Sequence, residues 1–124
     1  MILVDSSVWI DHFRAADNYL KGHLESQQVV CHPFVIGELA CGRIAHRSVV
    51  LAELARLPQC KVSSHAEAMR LIEEQSIAGA GLGWVDIHLL ASALISPQTL
   101  LWTRDKRLAD VAKRLLIAYD PSLH

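Results

Sequence analysis

Ile2-Leu3-Val4-Asp5-Ser6-Ser7-Val8-Trp9-Ile10 decides the fold. Three apolar residues followed by a carboxylate and two hydroxyls read as a short strand covered on both faces. Ser6 or Ser7 is placed to cap the helix that the next apolar run begins. Asp5 then falls at the strand's carboxyl edge, which is where ligands bind in open α/β sheets. It also has a purely structural reading, as a negative charge near a helix N-terminus.

Outward from this strand the chain alternates. Asp17 caps a second helix running to about Ser26, with Leu20 and Leu24 at i, i+4, and Val29-Val30-Cys31 forms the next strand. Pro33 suits the first turn of a helix to about Ile44, interrupted in its apolar content by Glu38. A helix from about Arg47 to Leu57 follows, and the two make a hairpin whose surplus apolar surface suggests a dimer contact. Cys60-Lys61-Val62 reads as a weak strand. Ser64 and Glu67 have capping-box spacing for a helix to about Gln75. Gly79-Ala80-Gly81-Leu82-Gly83 matches no nucleotide-binding pattern and reads as a flexible loop.

From Val85 to Ile95 nearly every residue is apolar or small, apart from Asp86, His88 and Ser92, so this helix should be buried all round. Thr99 to Thr103 is an apolar strand, Asp105 can cap a helix from Lys106 to about Leu116, and Ile117-Ala118-Tyr119 forms a last strand. Strands alternating with helices at these lengths indicate an α/β fold with a parallel, doubly wound sheet. A chain of 124 residues suits a single domain spanning 1–124.

Composition removes several classes of function. Hydrophobic residues make up 52% and charged residues 20%, which excludes intrinsic disorder, while the frequent charges exclude a membrane span. The opening apolar run is too short for a signal peptide, so a cytoplasmic protein is the expectation. Cys31, Cys41 and Cys60 have neither disulfide nor zinc spacing and read as small buried residues. The seven histidines form no HExxH or HxH pattern, and only His88 stands near a candidate acid. A net charge of −1 gives no global attraction for nucleic acid, but Arg104, Lys106, Arg107, Lys113 and Arg114 cluster locally.

Four carboxylates share one kind of address. Asp5 and Asp105 stand just after apolar strands, Asp86 begins a buried helix, and Glu38 lies on the helix after the second strand. If the first and fourth strands are neighbours at the topological switch point, Asp5 and Asp105 meet in one crevice. Two unit charges about 6 Å apart repel by roughly 3 kcal/mol at an effective dielectric of about 20, so protonation or a cation must relieve such a cluster. All-oxygen donors suit Mg²⁺ or Mn²⁺ rather than zinc, and those ions support hydrolysis of phosphodiesters by activated water.

Val4-Asp5-Ser6-Ser7-Val8-Trp9-Ile10, Gly37-Glu38-Leu39, Val85-Asp86-Ile87-His88-Leu89-Leu90-Ala91 and Thr103-Arg104-Asp105-Lys106-Arg107-Leu108 resemble, in order and spacing, the successive motifs of the PIN-domain ribonucleases. The toxins of bacterial VapBC-type toxin–antitoxin pairs are the nearest in pattern. The resemblance implies a three-layer α/β/α sandwich around a parallel sheet of about five strands in the order 3-2-1-4-5. It also implies a Mg²⁺- or Mn²⁺-dependent endoribonuclease, a homodimer, and a VapB-like antitoxin that blocks the site and carries any DNA binding. Carried onto this chain, Asp5, Glu38, Asp86 and Asp105 are the catalytic acids. Asp5, Asp86 and Asp105 are the metal ligands, with Glu38 acting through a water, and Ser6 and Thr103 support them. Arg104, Lys106 and Arg107 flank Asp105 and are candidates for RNA phosphates. After the fourth motif the family often has a second acid or an aromatic, where this chain has Lys106-Arg107-Leu108.

Two other readings stay open at this point. One is a catalytically silent module that keeps the fold and sequesters a partner. The other is a phosphatase or receiver-type domain using Asp5 as a phosphoryl acceptor, although no second acid follows Asp5 at two residues and no acidic pair precedes it.

Overall fold

β1 (Ile2–Val4) is buried along its whole length and lies between two parallel neighbours, β2 (Val29–Val30) and β3 (Leu100–Trp102). The register pairs Ile2 with Val29 and Leu100, and Val4 with Trp102. The computed structural model describes residues 1–123; His124 lies outside them. Around the strands run α1 (Ser6–Arg14), α2 (Asn18–Glu25), α3 (Pro33–Cys41), α4 (Arg47–Arg56), α5 (His65–Glu74), α6 (Trp84–Ile95) and α7 (Lys106–Arg114), with a 3₁₀ turn at Pro121–Leu123.

Among the described residues the expected five strands reduce to three. The outer two survive only as single parallel bridges, Cys31 to Gln59 and Leu101 to Ala118, on the two sides where the five-strand order would put them. On the first side, the Cys31 N–H donates to the Pro58 carbonyl and the Cys60 N–H to the Cys31 carbonyl. The next donors are then diverted: the Lys61 N–H goes to Ser96 Oγ at 2.9 Å and the Ser63 N–H to Ser92 Oγ at 3.0 Å. A ladder cannot propagate once its backbone donors serve side chains of a helix. On the other side, the Ile117 N–H still closes the end of α7 on the Ala112 carbonyl, and Pro121 follows soon after, leaving room for one bridge.

α6 is buried from Ile87 to Ala93, with Leu89 and Leu90 wholly enclosed, but Leu94 is exposed, so the all-round burial expected from Val85 to Ile95 holds only over the middle of the helix. Each enclosed leucine contributes about 1.5–3 kcal/mol by leaving water. α7 is the opposite kind of helix, with Leu108, Val111 and Ala112 buried on one face and charges on the other. The caps follow the sequence at three of its marked positions: Asp17 accepts from the Leu20 N–H, Asp105 from the Leu108 N–H, and Ser64 with Glu67 forms a reciprocal capping box. At α1 the outcome differs. Asp5 occupies the cap position without a side-chain cap bond, and Ser6 and Ser7 are already helical. Cys41 is exposed rather than buried, whereas Cys31 and Cys60 are buried, with thiols pushed up to about 11 by that burial.

Candidate active site

Parallel strands deliver their carboxyl ends to one edge, and the site is built there. The Asp5 N–H donates to the Trp102 carbonyl at 2.9 Å, which ties the ends of β1 and β3 together. Asp5 is buried. Its Oδ2 accepts the hydroxyl protons of Ser7 at 2.7 Å and Thr103 at 2.8 Å. Each hydroxyl has one proton to give, so each then uses a lone pair as an acceptor: Ser7 Oγ takes the Arg104 N–H at 3.0 Å, and Thr103 Oγ1 takes the Asp105 N–H at 3.1 Å. The two serines expected to cap α1 hold carboxylates instead. Ser6 Oγ donates to Glu38 Oε1 at 3.1 Å and lies 3.5 Å from Asp5 Oδ1.

The four predicted acids act on one another electrically. At Glu38 burial pushes the carboxyl up, the Ser6 bond opposes this, and the charges of Asp5 and Asp86 push it further up. At Asp86 burial is again first, opposed by the hydrogen bond from the Gly83 N–H and reinforced by the charges of Asp5 and Asp105. The structure therefore brings together residues that are far apart in sequence and come from four separate elements. Asp86 and Asp105 also perform the structural roles open to them. Asp86 Oδ2 accepts from the Gly83 N–H at 3.0 Å and Asp105 Oδ1 from the Leu108 N–H at 3.1 Å, which leaves the second oxygen of each for other use.

An oxygen-only donor set under mutual repulsion fits a hard divalent cation. Asp5, Asp86 and Asp105 could hold one, with Glu38 beside them. Among the described residues, no three acidic, histidine or cysteine side chains already enclose a position for an ion as they stand.

A family model for the PIN domain matches residues 2–114. The chain belongs to the PIN-domain family. This PIN domain is also 52% identical over 108 residues to proteins named Ribonuclease VapC32 from two strains of Mycobacterium tuberculosis, covering 87% of either chain. The matched segment contains Asp5, Glu38, Asp86 and Asp105 of the PIN domain.

The three candidate phosphate ligands are not equivalent in this PIN domain. Arg104 is committed to Asp11, with Nε at 3.2 Å, and to Asp17, with Nη2 at 2.7 Å. Lys106 and Arg107 are exposed, and Arg107 lies along Gly81. Gly81 has a φ of +82°, and a Cβ there would come within 2.9 Å of Arg107 Cδ and Nη1, so the glycine loop is shaped around this cation rather than merely flexible. Sequence reasoning missed Ser7 as a bridge between strand ends; its position two residues after Asp5 was the only signal. It also missed that Arg14 and Arg43 line, with Glu38, an open cleft of about 440 Å³ between α1 and the end of α3.

Proposed function

We propose that this chain is a Mg²⁺- or Mn²⁺-dependent endoribonuclease, the toxin of a VapBC-type pair, cutting RNA phosphodiesters by attack of water. The observation that carries this reading is the mutual electrostatic influence of Asp5, Glu38, Asp86 and Asp105 at one strand edge, in a family whose relatives here are named ribonucleases. A bound divalent ion would supply Lewis acidity and a lowered pKa for attacking water, held by Asp5, Asp86 and Asp105 with Glu38 through a water. Ser7 and Thr103 fix Asp5 by taking up one of its oxygens and anchoring themselves on backbone amides. Ser6 orients Glu38, whose raised carboxyl suits it to take a proton from water at Oε2. Lys106 and Arg107 position RNA phosphates beside the acids, while Arg104 braces the loop through Asp11 and Asp17.

The same reading supplies a VapB-like antitoxin, a homodimer and a cytoplasmic setting; among the described residues no helix is long and apolar enough to cross a membrane. A catalytically silent module is the second reading, favoured by the spacing of the acids: among the described residues no three are already placed to share one ion. Purified protein free of antitoxin should cut RNA when Mg²⁺ or Mn²⁺ is added and stop with chelator. Uncut RNA across both metals would leave the silent module standing.

A further inference from the structure

Glu38 stands at one end of a longer feature, the open cleft of about 440 Å³ between α1 and α3, whose other end carries Arg14 and Arg43. Ser6, Ile10 and Arg14 recur every four residues and share one face of α1; Glu38 and Gly42 do the same along α3, with Arg43 next in the chain. The Ser6 hydroxyl donates to Glu38 Oε1 at 3.1 Å and joins the two helices at the acidic end. Arg14 lies two turns further along α1, roughly 12 Å of helix. Between the ends, Ile10, Phe13, Leu39 and Ile44 give the cleft an apolar floor, with Ile10 exposed in it.

Cations near the ends of α1 and α3 have a plain structural use, since both helices present carbonyls there. At α3 that use is already met by Arg47, whose Nη2 donates to the Ala40 carbonyl at 2.9 Å. Both ion pairs among the described residues belong to Arg104, so Arg14 and Arg43 are exposed guanidiniums with no acid bound to them. Two such forks match the oxygens of a phosphate, and the apolar floor between them and Glu38 suits the sugar and base that connect one phosphate to the next. The volume is that of a small-ligand site, for which about 300–1,000 Å³ is usual. We propose that Arg14 and Arg43 form a second phosphate site, which seats a linkage flanking the scissile one and sets the path of the strand away from the acids between α1 and α3. The strand order β2-β1-β3 puts α3, and with it this cleft, on the flank of β1 opposite Lys106 and Arg107, which follow β3. The two arginines are positioning residues, because they hold a linkage other than the one that reacts. The inference rests on the nuclease reading and adds a subsite and a direction to it.

The test compares strands by length. Asp5→Asn protein, which leaves the RNA uncut, is titrated with oligouridylates of two and of eight nucleotides over a range of KCl concentrations. With the longer strand, adding Arg14→Ala or Arg43→Ala should weaken binding about tenfold at low salt, the scale of one charge-assisted hydrogen bond. Each should also lower the slope of log affinity against log salt by about 0.7. The two-nucleotide strand should lose less, since its single linkage cannot occupy the acidic site and the second site together. Arg14→Lys and Arg43→Lys should recover the slope with part of the affinity, a pattern that a loss of folding would not give. Arg56→Ala, which removes an exposed arginine of α4 outside the cleft, should leave the binding of both strands as it was. Three results would overturn the second site. They are folded Arg14→Ala/Arg43→Ala protein that keeps its parent's slope, equal losses for the two lengths, or a polyglutamate peptide of matching charge that binds as tightly as the RNA and so gives the cleft to an acidic protein segment. Cleavage of a longer RNA by the unsubstituted protein, assayed alongside with Mg²⁺ or Mn²⁺, separates the two ideas. RNA cut with unchanged slopes removes the second site and keeps the nuclease, and lowered slopes without cutting do the reverse.

Discussion

At the carboxyl edge of the sheet, Asp5, Glu38, Asp86 and Asp105 gather with oxygens left over; on and against α6, His32, Ser92, Ser63 and His88 form a second polar cluster whose members bond to one another. His32 Nδ1 accepts the Phe34 N–H at 2.9 Å, so the neutral ring carries its proton on Nε2, which meets Ser92 Oγ at 3.1 Å. Ser92 Oγ also takes the Ser63 N–H, and Ser63 Oγ meets His88. One cluster is neutral and internally hydrogen-bonded and joins the start of α3, α6 and the segment before α5. The other is anionic, repels itself and is held by hydroxyls at its base. A buried polar group that closes its own hydrogen bonds stabilises a fold, whereas like charges gathered at one edge destabilise it unless something else binds there.

The largest effect should come from Asp5→Asn. Cleavage should fall at least about 10²–10³-fold in a metal-supplemented RNA assay, the scale of losing one preorganised electrostatic group. The same protein in chelator should melt at a higher temperature than its parent, since Glu38 and Asp86 lose a repelling charge. Unchanged cleavage would end the claim that this edge is catalytic.

His32→Ala should do the reverse, losing stability rather than chemistry. It removes the cap on α3 and the bond to Ser92 and opens a cavity, for about 2–4 kcal/mol by denaturant titration. The two clusters should also separate by pH. Burial, with His88 nearby, holds His32 down to about 4, against 6.5 when exposed. Between those values the unfolded chain binds the proton and the native one does not, so stability rises with pH across that window by about 3 kcal/mol, and His32→Gln should flatten the rise. Glu38 and Asp86 are raised, so their contribution runs the other way: above the ordinary carboxylate values of 4.5 and 3.8, native protein holds protons that unfolded protein has released, and stability falls as pH increases. Measured in chelator, the falling limb should shrink but persist in Asp5→Asn protein, because burial and the remaining acids still raise both carboxyls.

Ser7→Ala tests the joint between strand ends and should be smaller, about 1–2 kcal/mol in stability, because Asp5 loses one donor and the Arg104 N–H loses its acceptor. That residue also shows where sequence stops being informative. Asp5, Glu38, Asp86 and Asp105 were legible because each sits at a place the strand and helix pattern defines, and the burial of the middle of α6 was legible from a run that is apolar or small apart from Asp86, His88 and Ser92. The outer strands were not, because Lys61 and Ser63 give their N–H groups to Ser96 and Ser92, a competition that depends on tertiary contact. Ser7 looked like a cap for the same reason: the Thr103 hydroxyl 3.3 Å from its own, which helps draw it to Asp5, comes from the far end of the chain. Arg104 looked like a phosphate ligand because its neighbours in sequence were visible and its neighbours in space, Asp11 and Asp17, were not.

Arg104→Ala should have the least effect. Its guanidinium pairs with Asp11 and Asp17 in a half-exposed setting, where water and salt screen the attraction, so the loss should be at most about 1 kcal/mol and should shrink as ionic strength rises. The pair still leaves a trace at Asp17: burial works to raise that carboxyl, but the Leu20 N–H and Arg104 together hold it below its ordinary value of 3.8. The stability this contributes is present above that value and is lost as pH falls further, so the variant should differ from its parent at neutral pH and converge with it in acid. RNA binding separates bracing from phosphate contact. A bracing arginine leaves the salt dependence of binding unchanged when removed, whereas each phosphate-contacting cation lost, Lys106 or Arg107, lowers the slope of log affinity against log salt by about 0.7 for a single strand. A fall of that size in Arg104→Ala protein would return Arg104 to the RNA and make its ion pairs a resting position.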